Sequence, residues 1–217
     1  MYHHIRNYQN LTSKAAQDIS VSPQEFDAQL NYLHTSGYTT ITSQDIVDNT
    51  VPCKSVMITF DDGYFDVYQN AFPIMHKYNY VWIIGLIVAK MDESDYLFWR
   101  DIHALQNAWW EIASHTWNHA ILTRIKNFKL IQEVKNSKKS LEKWFHTPIH
   151  IFVYPGWYYD IESLKSVQES SYRYALTTRF WEADLHERKF ELRRINIIPG
   201  ISPEKLTDLL EMATLLQ

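Results

Sequence analysis

Two neighbouring carboxylates, Asp61 and Asp62, follow an apolar stretch (Ser55–Phe60) and precede Gly63. At a strand tip, adjacent side chains point in different directions. One can hold a cation while the other stays free as a base, and Gly63 permits the tight turn that keeps both at the tip. The segment alone equally suits a solvated Asp-Asp-Gly turn. Further along, His115 and His119 stand four apart in His115-Thr116-Trp117-Asn118-His119, a spacing that lets two imidazoles reach one ion. With ten histidines in the chain, a chance pair is a fair alternative. Beside the upstream aspartates, the ligand reading becomes the stronger one. Two histidines and a carboxylate (Asp62, His115, His119) fit a catalytic Zn²⁺ or a related divalent ion, with positions left for water and substrate.

These residues need elements to carry them. Ser22-Pro23-Gln24-Glu25 opens a helix with a cap, a first-turn proline and a capping box, Phe26, Leu30 and Leu33 give it an apolar face, and Gly37 is placed to end it. Strands are expected over Met1–Ile5, Tyr38–Thr42, Ser55–Phe60, Val81–Val88, Glu111–Ser114, His150–Tyr154, Tyr172–Thr178 and Leu192–Ile197. Helices are expected over Phe65–Tyr78, Ile102–Trp109, Phe128–Phe145 and Ile161–Ser170, with a last one started by Ser202-Pro203. Strands alternating with helices imply a mostly parallel sheet, open or closed into a barrel. Asp61 and Asp62, then His115, then the Pro155-Gly156 turn each fall just past the C-terminal end of a separate strand. That rim is where catalytic groups collect in (β/α) barrels.

Bulk properties narrow the class. The 217 residues suffice for one good-sized core, and no repeat, low-complexity tract or linker divides them, so a single domain over 1–217 is expected. The net charge of −4, with scattered Lys and Arg, argues against nucleic acid as a partner. No run reaches the roughly 18 apolar residues of a membrane span. The single cysteine, Cys53, excludes an internal disulfide. Aromatics make up 15% of the chain, which suits either sugar stacking or an ordinary core; Trp117, Trp157 and Trp181 are the stacking candidates.

Thr59–Gly63 and Ser114–His119 resemble the first and second motifs of the polysaccharide deacetylases (carbohydrate esterase family four, the NodB homology domain). The resemblance runs through Tyr2-His3-His4-Ile5, Val21–Thr42, Tyr154-Pro155, Tyr172-Arg173-Tyr174-Ala175 and Leu192-Arg193-Arg194-Ile195. It is strongest to the branch acting on poly-N-acetylglucosamine in biofilm matrices. It implies a distorted (β/α) barrel of the NodB homology type. Asp62, His115 and His119 match the metal ligands, Asp61 the general base, Gly156 N–H an oxyanion donor, and Arg194 the arginine that orients and ionises the base. A C-terminal Leu-x-His, the general acid in many members, is missing, since no histidine follows His186. The biofilm branch takes its acid from the Tyr-His motif, which indicates His3. Strand neighbours His3 and His4 face opposite sides, so only one can face the barrel mouth. The sequence departs from the family pattern at Val153, where many members carry an arginine. It departs again at Gly156-Trp157, where an aromatic and a glycine are usual, and at the customary glycine positions held by Trp109 and Ser171.

The activity so implied is metal-dependent hydrolysis of N-acetyl groups on an amino-sugar polysaccharide, with Zn²⁺ the first choice and Co²⁺ or Ni²⁺ alternatives. Poly-N-acetylglucosamine is the expected substrate. Peptidoglycan, chitin oligomers or a lipid-linked sugar are the alternatives, as is a non-catalytic carbohydrate-binding relative. The chain opens on Met1-Tyr2-His3 without a signal peptide. Because the family works mostly outside the cytoplasm, an extracytoplasmic site with the export signal absent from this chain is expected, or a cytoplasmic one if Met1 is the true start.

Overall fold

The computed structural model describes residues 1–156, 158–180 and 188–214. In chain order the elements are β1 (His4–Ile5), α1 (Lys14–Asp18), β2 (Ser20–Val21), α2 (Pro23–Thr35), β3 (Thr39–Thr40), α3 (Ser43–Val47), β4 (Ser55–Val56) and β5 (Thr59–Phe60). They continue with α4 (Phe72–Lys77), β6 (Ile83–Leu86), α5 (Trp99–Asn107), β7 (Glu111–Ser114), α6 (Phe128–Ile131), α7 (Ser137–Phe145), β8 (Ile151–Val153), α8 (Ile161–Glu169), β9 (Tyr174–Leu176) and α9 (Pro203–Thr214). The centre is a parallel sheet of order β5-β6-β7-β8-β9, curled into much of a barrel. Two short parallel pairs, β1-β2 and β3-β4, stand beside it.

Single backbone bonds close the remaining gap. Leu192 pairs with Leu176, and Thr177 N–H donates to Leu192 C=O at 2.7 Å. Met1 N donates to Ile195 C=O at 2.8 Å, and Ile197 N–H to Met1 C=O at 3.0 Å. Tyr2 N–H then reaches Thr59 C=O at 2.8 Å, and Asp61 N–H reaches Tyr2 C=O at 3.0 Å. The first two residues thus lie as a stave between the 195–197 segment and β5.

Side-chain alternation sorts the core into two. Ile83, Ala113, Ile151, Val153, Leu176 and Leu192 fill the barrel interior. Phe60, Ile84, Leu86, Ile112, Phe152 and Ala175 point outward into the larger layer under the helices. Tyr2, Phe26, Phe60, Trp82 and Trp110 pack there ring against ring. Much of the aromatic content therefore serves packing, since large rings bury the most apolar surface per residue.

The structure adds α1, β2 and α3, which the sequence reading did not expect, and four expected elements differ in form. Ser55–Phe60 is two strands, because β4 pairs with β3 whereas β5 turns to β6. Leu192–Ile197 forms no strand: it makes one isolated bridge to β9, at Leu176, and its later bonds, at Ile195 and Ile197, are with Met1. The helices expected over Phe65–Tyr78 and Phe128–Phe145 contain π-helical turns at Val67–Ala71 and Gln132–Asn136. The helix start at Ser22 is as expected, with the Glu25 capping box formed and Pro23 in the first turn. Among the described residues, no helix is long and apolar enough to cross a membrane.

Candidate metal and catalytic site

The chain leaves β5 through a turn in which Asp62 and Gly63 both take left-handed backbone angles, φ +71° and +76°. A side chain at 63 would also strike Leu86, its Cβ lying 2.9 Å from Cδ2. The left-handed angle favours glycine there, and any larger residue would in addition displace the Leu86 side chain. The reversal at Asp62 separates the two carboxylates.

Asp61 stays on the interior face and meets Arg194. Arg194 Nη1 donates to Oδ1 and Nη2 to Oδ2, each at 2.7 Å, so the two planar groups form a closed fork. Arg194 is itself fixed through Nε to Thr177 C=O at 2.8 Å and through Nη1 to Thr59 Oγ1 at 3.1 Å. Burial alone would raise the Asp61 carboxyl, but the charge and hydrogen bonds of Arg194 outweigh it and hold it well below the usual carboxylate range.

Asp62 faces the histidines. Its Oδ1 lies 3.2 Å from His115 Nε2 and 3.3 Å from His119 Nε2, and the three ligand atoms all lie within 4.8 Å of one another. A tetrahedral centre with ligand lengths of about 2.0–2.1 Å separates neighbouring donors by about 3.3 Å. The tautomer of His115 sharpens the fit. Its Nδ1 donates to Val153 C=O at 2.8 Å, so in the neutral ring Nε2 presents a lone pair to the carboxylate. Asp62 Oδ1 is buried and finds no hydrogen-bond donor of acceptable geometry. Two lone pairs at that distance repel unless a positive charge stands between them. Burial lowers the His115 pKa, but the adjacent Asp62 and Asp61 carboxylates outweigh it and the net direction is upward, so a proton and a metal ion would compete for the place between Nε2 and Asp62. The two carboxylate–imidazole spacings match the tetrahedral separation, and the donor set of two imidazoles and a carboxylate suits a divalent cation. His119, with its side chain 43% exposed, lies on the open side of the cluster.

His3 and His4 separate as strand geometry requires. His4 points away from the site, stacks on Tyr64 and donates through Nδ1 to Asp66 Oδ2 at 2.6 Å. His3 is half-buried and close enough to Asp61, Asp62, Arg194 and His115 for their charges to bear on it. Burial lowers its pKa, with Asp61 and Asp62 pulling the other way. Gly156, at φ +64°, follows the buried Pro155, and its C=O accepts from Thr178 Oγ1 at 2.9 Å. Trp117 is partly buried against the core near Trp144. Trp157 and Trp181 lie outside the described residues. Trp109 and Ser171 hold left-handed angles of +67° and +61°, which is why glycine suits those positions.

Sequence reasoning did not reach Thr59 and Thr177, which hold Arg194, nor Val153, whose carbonyl sets the His115 tautomer. Backbone acceptors leave no mark on residue type. Val153 could contribute only through its main chain, and only the barrel register shows that it does.

Residues 48–175, more than half of the chain, match the family model described as polysaccharide deacetylase. The chain belongs to the polysaccharide deacetylase family. YxkH of Bacillus subtilis (strain 168), named for the same family, is 30% identical over 207 residues, covering 93% of this chain and 71% of the relative. The poly-beta-1,6-N-acetyl-D-glucosamine N-deacetylase of Staphylococcus aureus (strain MSSA476) is 23% identical over 202 residues, covering 81% and 70%. The structure of the Streptococcus pyogenes deacetylase PplD in complex with acetate superposes with a TM-score of 0.90 at 26% identity, over 96% of this chain and 95% of that one. This deacetylase-family chain thus has the curled (β/α) barrel of its relatives, with an Asp/His/His cluster that could hold a metal at the C-terminal rim.

Proposed function

We propose that the protein removes N-acetyl groups from an amino-sugar polysaccharide, poly-N-acetylglucosamine first, by metal-assisted hydrolysis outside the cytoplasm. The observation that carries this reading is the Asp61–Arg194 fork set beside the Asp62/His115/His119 cluster on one barrel rim. Those three residues would hold a divalent ion, Zn²⁺ in preference to Co²⁺ or Ni²⁺, which supplies Lewis acidity and lowers the pKa of water toward about 7. Asp61, kept ionised and aimed by Arg194, takes a proton from the attacking water as the new C–O bond forms. The Gly156 N–H would donate to the acetyl carbonyl oxygen as it becomes an oxyanion. His3 donates a proton to the nitrogen as the C–N bond breaks. Acetate and a free amino sugar leave, and proton transfer between Asp61, solvent and His3 restores the starting state. The family membership and the named substrate of the staphylococcal relative support the substrate class.

Acetate release from poly-N-acetylglucosamine, peptidoglycan and chitin oligomers, with chelator and metal add-back, tests the reading. Release that stops with chelator and returns with Zn²⁺ is expected, fastest on poly-N-acetylglucosamine. A faster rate on another glycan would replace the substrate. No release from any glycan by metal-loaded protein would leave a carbohydrate-binding relative instead.

A further inference from the structure

The two candidate histidine ligands sit at the ends of a loop that bends against its own preferences. Thr116 lies at φ +67° and His119 at +59°. A β-branched residue is a genuine outlier there, and such backbone persists only when its surroundings over-determine it. Part of that support is ordinary. His115 N–H donates to Leu86 C=O at 2.9 Å, Val88 and Ala89 N–H reach Thr116 and Trp117 C=O, and His119 N–H caps on Thr116 Oγ1 at 2.9 Å. Two of the three amides between the histidines have a different partner. Trp117 N–H and Asn118 N–H both donate to Glu133 Oε2, at 2.9 and 2.8 Å, and Asn118 Nδ2 donates to Glu133 Oε1 at 2.9 Å.

Glu133 is 5% exposed and lies in the π-helical turn Gln132–Asn136 between α6 and α7. Such a turn changes which way successive side chains face, and π turns recur beside functional sites. Its carbonyl and that of Val134 are taken by Ser137 Oγ, so the turn is itself pinned. A buried carboxylate with three donors is a fixed anchor.

The geometry points to Glu133 as the positioning residue of the metal centre: it sets the conformation of 116–118 and with it the separation of His115 and His119. This rests on the metal reading above. A partner behind the ligands typically alters metal affinity by about 10–100-fold when removed. Glu133→Gln keeps size but turns an NH₂ toward at least one of the amides it must accept from.

The test is Zn²⁺ affinity by calorimetric titration of the full chain, together with the visible spectrum of the Co²⁺-loaded protein. Wild type, Glu133→Gln and Glu111→Gln are compared. Glu111 is a half-buried carboxylate at the start of β7, the strand that runs into His115; it is bonded to Ser43 and lies at the other end of that strand from the ligands. Glu133→Gln is expected to weaken Zn²⁺ binding by about 10–100-fold and to alter the cobalt spectrum, whereas Glu111→Gln changes thermal stability only. Unchanged affinity and spectrum in Glu133→Gln would overturn the assignment. If that variant does not fold, Asn118→Ala, which removes the Oε1 bond from an exposed residue, should still weaken binding several-fold, and unchanged binding there has the same meaning. Wild-type protein that binds no metal would instead overturn the metal reading itself.

Discussion

Arg194 and Asp61 present two planar groups edge to edge in the barrel interior, and Thr177 C=O and Thr59 Oγ1 hold the guanidinium in place. Such a pair is sensitive to which member is removed. Taking away Arg194 leaves a buried, ionised carboxylate, which costs about 3–5 kcal/mol in comparable pairs. Arg194→Met is therefore expected to lower stability by about that amount in urea unfolding. The double variant with Asp61→Asn should recover most of it, because no uncompensated charge remains. A double variant no more stable than Arg194→Met alone would show that packing, not charge, sets the cost. Asp61→Asn by itself separates chemistry from metal binding: acetate release should fall by about 10²-fold or more, the usual effect of losing a general base, while Zn²⁺ affinity is kept. Asp62→Ala should lose both. These side chains were legible from the sequence because the chemistry resides in their type and spacing. The αL turn at Asp62 that splits the two carboxylates was legible only as the glycine that follows it.

At the scale of elements, the amino-terminal stave carries the proposed acid, and its placement governs where His3 meets the rim. β1 and β2 share a two-residue ladder, so something else must hold His3 in register. Asp66 accepts from both His4 Nδ1 and Ile5 N–H, and Asn70 Nδ2 donates to Ile5 C=O at 2.7 Å. Both lie just beyond the Asp-Asp-Gly turn, so the segment bearing the proposed base also clamps the segment bearing the proposed acid. Asp66→Ala is expected to cut acetate release from glycans sharply yet spare hydrolysis of an aryl acetate, whose leaving group needs no protonation. Equal losses on both would mean that the clamp serves the whole site and not the acid. The sequence pattern located most of the elements but neither the short α1, β2 and α3 nor the junctions. Alternation and capping are local signals, and they found the start of α2 through Ser22 and Glu25. The break between β4 and β5 and the missing ladder over 192–197 are decided by which neighbour a strand meets, information that no local window contains. The π turn that delivers Glu133 is likewise silent in residue type.

Across the whole molecule the two ends of the barrel behave differently. Chemistry collects at the C-terminal rim, and the opposite end carries a buried polar latch. There Ser43 N–H donates to Glu111 Oε2 at 2.6 Å, its hydroxyl bonds Oε1, and Ser43 Oγ lies 3.3 Å from His150 Nδ1. Burial raises the Glu111 carboxyl above its ordinary 4.5 in spite of the bonds from Ser43. The folded protein then binds this proton more readily than the unfolded chain does. Its contribution to stability falls as pH rises from 4.5 through the raised value. The Tm of Glu111→Gln relative to wild type should accordingly climb as pH rises across that window; a parallel pair of curves would refute the assignment. The rim couples to stability through its ligand instead. An ion bound by the folded state alone adds about 2.7 kcal/mol when free metal is 100 times Kd. For a domain of this size each kcal/mol moves Tm by about 2–4 °C, so saturating Zn²⁺ should raise Tm by about 5–10 °C over chelated protein. Asp62→Ala should show no such rise, whereas Asp61→Asn should keep it, because Asp61 is held by Arg194 and not by the ion. A metal-dependent rise in Asp62→Ala as large as in wild type would place the tight site elsewhere. The loss of the rise in Asp61→Asn would mean that both carboxylates ligate.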